Sequence, residues 1–345
     1  MSLSLERGVG GRADLVIVGN AGGTNIGASF HRAAGCLGLK AAFCDARDAH
    51  SGPAFVRRFN WRIRGHRPTL LGKFSADVTE ACRMHSPRVL LTTGLAPIDG
   101  ENMDKIGKMG IERINYLTDD PWNPGQSSQW FFRALRSYDS VFSARQANLN
   151  DLRQHGCADV QYLPFAYDDE LFPPGLGGRT RSSEAYDVVF AGGADEDRVP
   201  FIRALHQSGL KMALAGDYWD RSPFTKRYRV GHLDPTKLRE ITADSKIALC
   251  LVRRANRDGH VMRSFEIPAI GTCMLAEDTL EHRAIFGEDG DTVLYFRTAR
   301  EMTDKVKWLL ANDKERRRLA EGAHRRVVGG RHTYKDRLKA MLKSK

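Results

Sequence analysis

Two carboxylates eight positions apart, Asp258 and Glu266, lie in the stretch 257–277, where the sequence has its densest potential chemistry. Glu266 opens a short helix that ends at Gly271, ahead of a strand at Cys273–Ala276. A partly buried acid in that place needs hydrogen-bond partners, and a ribose diol would supply them. A second acidic pair, Asp119-Asp120, precedes Pro121-Trp122 and follows a strand at Ile114–Thr118. Ligand clefts in α/β sheets open at the carboxyl ends of strands. Two adjacent carboxylates there can bind sugar hydroxyls or take a proton from an attacking hydroxyl, although a helix cap or a proline turn uses the same residues. A third candidate is the loop Gly19-Asn20-Ala21-Gly22-Gly23-Thr24-Asn25 between a strand and a helix. Its Gly22, Gly23, Thr24 and Asn25 can turn backbone N–H groups toward an anion, or simply make a tight turn. The loop does not match G-x-G-x-x-G, which argues against a nicotinamide oxidoreductase even though Asp45 lies at a suitable distance for a ribose acid.

The elements that would position these residues follow an α/β pattern. Strands read at Asp14–Val18, Lys40–Cys44, Val89–Thr93, Arg113–Leu117 and Asp159–Leu163 alternate with helical patterns near 101–109, 129–137 and 144–155. Alternation of this kind predicts a parallel sheet with crossover helices. A Pro/Gly-rich polar stretch over 168–184, with Pro173-Pro174-Gly175 and Gly177-Gly178, reads as a linker. The pattern then restarts with strand Tyr186–Phe190, the turn Gly192-Gly193, a helix near 198–208, and strands at Lys211–Ala215, Lys246–Leu251, Cys273–Ala276 and Val293–Phe296. Met302, Val306, Leu309 and Leu310 set a clear helix over 299–310. The expected domains are 1–170, a linker at 171–185, a second domain at 186–330, and a closing segment, 331–345, that packs back toward the first. In that segment Tyr334, Leu338, Met341 and Leu342 share one helix face.

The chain of 345 residues is 41% hydrophobic and 28% charged, which fits about two ordinary globular domains and excludes a disordered or collagen-like chain. No apolar run approaches the roughly 18 residues of a membrane span. The start has no stretch of signal-peptide length, so the sequence reads as soluble and cytoplasmic. The six cysteines form no C-x-x-C pair and read as small buried residues; no two of the eleven histidines lie within five positions, so no local metal site is announced. No metal and no cofactor is expected. The net charge is +11, and residues 301–345, with 14 Lys/Arg against 6 Asp/Glu, supply +8 of it. Such an excess forms solvated helix faces or draws the chain to a polyanion or an anionic membrane. A second basic patch, residues 55–67, interleaves Arg57, Arg58, Arg62, Arg64 and Arg67 with Phe55, Phe59 and Trp61.

In chain order the sequence carries Tyr116-Leu-Thr-Asp-Asp-Pro, Tyr162-Leu-Pro-Phe-Ala, Asp187-Val-Val-Phe-Ala-Gly-Gly, Arg263-Ser-Phe-Glu-Ile-Pro-Ala-Ile-Gly, Ile285-Phe-Gly-Glu-Asp-Gly and His332-Thr-Tyr-Lys-Asp-Arg-Leu. This set resembles the CgeB-like (spore maturation protein) glycosyltransferases, a branch of the retaining GT-B enzymes related to family 4. The resemblance spans roughly 85–340 and is strongest from 184 onward; residues 45–80 match little. It implies two Rossmann-like domains facing a cleft, with a nucleotide-sugar donor held mainly by the second domain. It further implies that Glu266 binds the donor ribose and that Asp258 stands where the family usually carries a Glu reaching the sugar hydroxyls. Gly192, Gly193 and Arg198 would lie near the diphosphate, with Arg263 a second cation for it and Phe265 beside them. Asp119, Asp120 and Asp258 would be the catalytic carboxylates. The acceptor is a glycan, a lipid or a small molecule; residues 55–67 would be a mobile loop over the acceptor cleft. The implied protein is a metal-independent hexosyltransferase working in the cytoplasm or at the inner face of a membrane, with no nucleic acid partner. The alternative is a non-catalytic nucleotide-sugar-binding protein of the same fold.

Overall fold

Residues 12–175 and 185–343 are described by the computed structural model. The glycines Gly177 and Gly178 and the polar run 179–183, read as the heart of a linker, lie outside them. The chain forms two units. One takes the chain up to Pro164, the short return Ala255–Arg257 and the end from Tyr334; the other takes Phe165–Arg254 and Asp258–Thr333.

In the first unit the order is β1 (Leu15–Gly19), α1 (Ile26–Cys36), β2 (Ala41–Asp45), α2 (Ala54–Ile63), α3 (Leu71–His85), β3 (Val89–Thr93), α4 (Gly100–Lys108), β4 (Glu112–Leu117), α5 (Gln129–Leu135), β5 (Ser140–Ser143), α6 (Ala147–Gln154) and β6 (Val160–Tyr162). The six strands are parallel in the order β2-β1-β3-β4-β5-β6. All five residues of β1 are buried. That is the mark of a central parallel strand covered on both faces, and it is why its apolar run does not alternate. Residues 55–67, read as a loop, instead begin as helix α2. The sequence reading assigned nothing to α3, whose polar outer face dilutes its apolar spacing.

The second unit runs β7 (Tyr186–Ala191), α7 (Val199–Gln207), β8 (Met212–Ala215), α8 (Pro223–Lys226), β9 (Arg229–Gly231), α9 (Pro235–Ala243), β10 (Ser245–Cys250), α10 (Arg263–Ile270), β11 (Cys273–Glu277), α11 (Leu280–Phe286), β12 (Leu294–Phe296), α12 (Ala299–Ala311) and α13 (Asp313–Gly329). Its six parallel strands take the order β12-β11-β10-β7-β8-β9. Val188, Phe190, Leu214, Ile247, Leu249 and Leu275 of the sheet meet Met302, Val306 and Leu309 of α12 in one core. Residues up to Gly175 pack here, the Gly175 N–H donating to Ala269 O at 3.1 Å.

The last helix, α14 (Tyr334–Lys343), belongs to the first unit and lies against α1. The Tyr334 ring meets Phe30 edge-on at 5.3 Å, and Arg337 Nε donates to Pro164 O at 2.8 Å. Five of the six cysteines are buried, but Cys36, expected inside, is exposed because it ends α1 at the surface. Among the described residues no helix is long and apolar enough to cross a membrane.

Candidate functional site

In the second unit the strand order reverses between β7 and β10, which are neighbours in the sheet. Outside the carboxyl ends of strands at such a reversal, the diverging loops leave room for a ligand. Arg198 joins the two loops. Its Nη1 donates to Gly193 O at 3.2 Å and its Nη2 to Leu251 O at 3.4 Å. Asp195 accepts from the Arg198 backbone N–H at 2.9 Å and pairs with the guanidinium, which also lies over the Phe190 ring. Arg198 is only 6% exposed, and its Nε has no hydrogen-bond partner among the described residues. Burial draws its pKa below the usual value, while Asp195 and Asp258 pull it back up. A desolvated cation with a donor to spare suits a phosphate oxygen. Gly216 lets the turn after β8 approach the loop after β7: its φ is +126°, and a Cβ there would fall 2.5 Å from Gly192 O. The same carbonyl accepts from Trp219 Nε1 at 2.8 Å. A cavity of about 490 Å³ begins at Ala194 and Asp195 and is bounded by Val199, Arg203, Tyr218 and Arg221.

Helix α10 starts at Arg263, three residues before the start read from the sequence. That places Arg263 and Glu266 on one helix face, where they form an ion pair. Glu266 is 3% exposed. Burial pushes the Cys250 thiol at the end of β10 up to about 12, while its hydrogen bond with Ser264 and the charges of Arg198 and Arg263 act against this. Phe265 follows on the same helix. It is fully buried between His260 and His332, with ring centroids at 5.6 and 5.1 Å.

Two supports were missed. Glu277, at the end of β11, accepts from Val252 N–H at 2.7 Å and from Arg254 at 3.1 Å, so it sets the loop after β10. Under α10, His282 Nδ1 donates to Glu277 O at 2.8 Å, which leaves Nε2 to accept from the Ser264 hydroxyl at 2.8 Å. Ser264 and His282 are fully buried, and burial pushes the His282 pKa down to about 4. Glu277 meets Val252 and Arg254 across 25 and 23 positions and His282 meets Ser264 across 18, so no local spacing signals these pairs.

In the first unit the order reverses between β1 and β3. The loop after β1 is drawn tight by its own side chain: Asn25 Nδ2 donates to Gly22 O at 2.8 Å and to Ala21 O at 3.2 Å. Asn25 therefore shapes the loop and makes no side-chain cap on α1. Gly22 and Gly23 have φ of +72° and +55° with open space above them, and Thr24 follows at the start of the helix. Asp119 is half-buried after β4, accepts from the Thr118 hydroxyl at 3.0 Å, and lies beside Gly94 at the end of β3. Asp120 does something else. It is 1% exposed and accepts from Trp122 N–H at 3.0 Å, Asn148 Nδ2 at 2.8 Å, and Arg257 at 2.6 and 3.0 Å. Its oxygens thus tie the loop after β4 to α6 and to the return Ala255–Arg257.

Residues 198–343 match the model of a family described as glycosyl transferase-like. A comparison with curated protein sequences finds no match. Among solved structures, the chain is similar to sucrose-phosphate synthase from Thermosynechococcus elongatus, at 14% identity and a TM-score of 0.69, covering 96% of this chain and 98% of that one. It is also similar to Anabaena HepE in complex with UDP and glucose, at 12% identity and 0.65, covering 97% and 100%. A Listeria monocytogenes protein described as a UDP-N-acetylglucosamine 2-epimerase follows at 12% and 0.59, covering 96% of each chain. Identities this low speak for fold alone. The protein has the two-domain α/β fold of GT-B glycosyltransferase structures, and residues 198–343 carry the sequence pattern of a glycosyl transferase-like family.

Proposed function

We propose that the protein is a retaining glycosyltransferase that takes its sugar from a nucleoside-diphosphate sugar and passes it to an acceptor hydroxyl. The observation that carries this reading is Arg198, buried across the β7/β10 reversal with Nε unspent. In the transfer the bond between the anomeric carbon and the diphosphate oxygen breaks, and its electron pair leaves with the diphosphate. The acceptor oxygen bonds the anomeric carbon, and its proton passes to the departing phosphate or a nearby base. Fixed cations and backbone N–H groups aimed at the departing charge are the expected source of rate. Glu266 is the proposed ribose acceptor, exchanging part of its pairing with Arg263 for the two hydroxyls, while Arg263 turns to phosphate. Asp119 and the loop 22–25 are the proposed acceptor-side groups, and Asp258 the group for the donor sugar.

A second reading, a binding protein that holds such a donor without turning it over, draws on Asp258, whose carboxylate is one methylene shorter than the Glu of the resembled family. Incubating the protein with sugar nucleotides separates the two, since slow release of free nucleoside diphosphate belongs only to the enzyme. The donor site itself is tested by a thermal-shift panel of UDP, GDP, ADP and TDP, because a ligand bound to the folded state raises the melting temperature by mass action. For the best ligand, Glu266→Gln is expected to weaken binding about tenfold, the worth of one charge-assisted hydrogen bond. Unchanged affinity in that variant overturns the donor assignment.

A further inference from the structure

Helix α2 contributes almost nothing to the core of the first unit. Residues 50–69 form an excursion that closes on itself where Leu70 N–H donates to Ala49 O at 2.8 Å. Of the α2 residues only Asn60 is buried. Phe55 is 75% exposed, Phe59 50%, Ile63 69% and Trp61 49%. Phe55, Phe59 and Ile63 stand at i, i+4 and i+8, so they make one continuous apolar ridge, with Arg58 and Arg62 alongside it. Arg57, Arg64 and Arg67 add to the charge, and from Ala49 to Ala76 the chain has no Asp or Glu. The far end of the helix is pinned: Trp61 packs on His66 at 4.4 Å, and His66 Nδ1 donates to Ser127 O at 2.7 Å.

We propose that α2 is a docking helix that seats the protein on an anionic lipid surface. A ridge of Phe and Ile is an aliphatic-aromatic wedge, which fits the acyl boundary of a bilayer. Arginines on either side reach lipid phosphates with their stems along the wedge. The absence of any acid over 49–76 leaves nothing to repel such a surface, and each arginine near it adds attraction that salt screens. The basic excess at the chain end does not compete for this role. Residues 301–343 are folded into α12, α13 and α14, and much of their charge is paired, as in Lys305–Asp289, Arg316–Asp313 and Arg318–Glu315. The inference does not rest on the proposed transferase activity.

The full chain should float with vesicles of phosphatidylcholine and phosphatidylglycerol mixed about two to one, and not with phosphatidylcholine alone. Phe55→Ser/Phe59→Ser keeps the charge and should reduce flotation about tenfold. Arg58→Glu/Arg62→Glu keeps the ridge and should reduce it at least tenfold, with added salt reducing the wild type in parallel. All four side chains are exposed, so both variants should keep the wild-type melting temperature. Flotation that ignores the anionic lipid, or that survives in both variants, overturns the proposal. So does failure to bind vesicles, including the case where the protein binds an RNA oligonucleotide instead with the steep salt dependence of phosphate contacts.

Discussion

Side chains that looked alike in the sequence separate by what they touch. Asp119 and Asp120 are neighbours, yet one stands half-buried at a strand end and the other is clasped by Arg257 and Asn148. His282 offers a test at this scale. Its pKa is about 4 in the folded protein, lowered first by burial, against about 6.5 when unfolded. Between these values the unfolded chain binds the extra proton, so stability rises with pH across the window and is lost as pH falls from 6.5 toward 4. The slope for this one group is about 1.4 kcal/mol per pH unit within the window. His282→Gln removes the group, so its melting temperature should fall less than that of the wild type between pH 6.5 and 4.5. Parallel curves would contradict the buried assignment.

At the scale of elements, α14 shows what an amphipathic face is worth. Tyr334, Leu338 and Met341 are at most 3% exposed, and the helix lies against α1 with Tyr334 on Phe30. Each such side chain contributes roughly 1.5–3 kcal/mol when fully buried. Ending the chain at Thr333 should therefore lower the melting temperature of the first unit by several degrees, and expose Phe30 and Tyr116, which α14 and its neighbours cover. A truncated protein that melts like the full chain would show α14 to be dispensable. The contrast with α2 is instructive: one helix spends its apolar face inside the fold, the other leaves it outside.

For the whole molecule, each unit has its own parallel sheet and its own core. The strand orders differ, and each has its own reversal, at β1/β3 in the first unit and β7/β10 in the second. A chain with more than one core departs from a single two-state transition. Calorimetry is therefore expected to resolve two transitions. A nucleoside diphosphate held at the β7/β10 reversal should raise only the transition that survives truncation of α14 unchanged. If the ligand moves only the other transition, the donor site has been assigned to the wrong unit.

Apolar runs such as Leu15–Val18 and Cys273–Ala276, and the four-residue stripe of α12, are written in neighbouring residues, so strands and that helix could be read from the chain alone. The glycine turns at Gly22-Gly23 and Gly192-Gly193 were legible for the same reason, since backbone freedom is a local property. Weakly patterned pieces were not: β9 is three residues at a sheet edge, and α13 is rich in charge along most of its length. Nor could the chain alone reveal which groups meet. Arg198 finds Leu251 O across 53 positions and Asp120 finds Arg257 across 137, distances that only the strand order closes. The same holds for α2, whose composition was visible but whose exposure depends on the sheet offering it no surface to cover. Local periodicity sets the elements because its forces act within a turn or two. The site and the bare helix face were decided by topology, which brings together, or leaves apart, residues that the sequence separates.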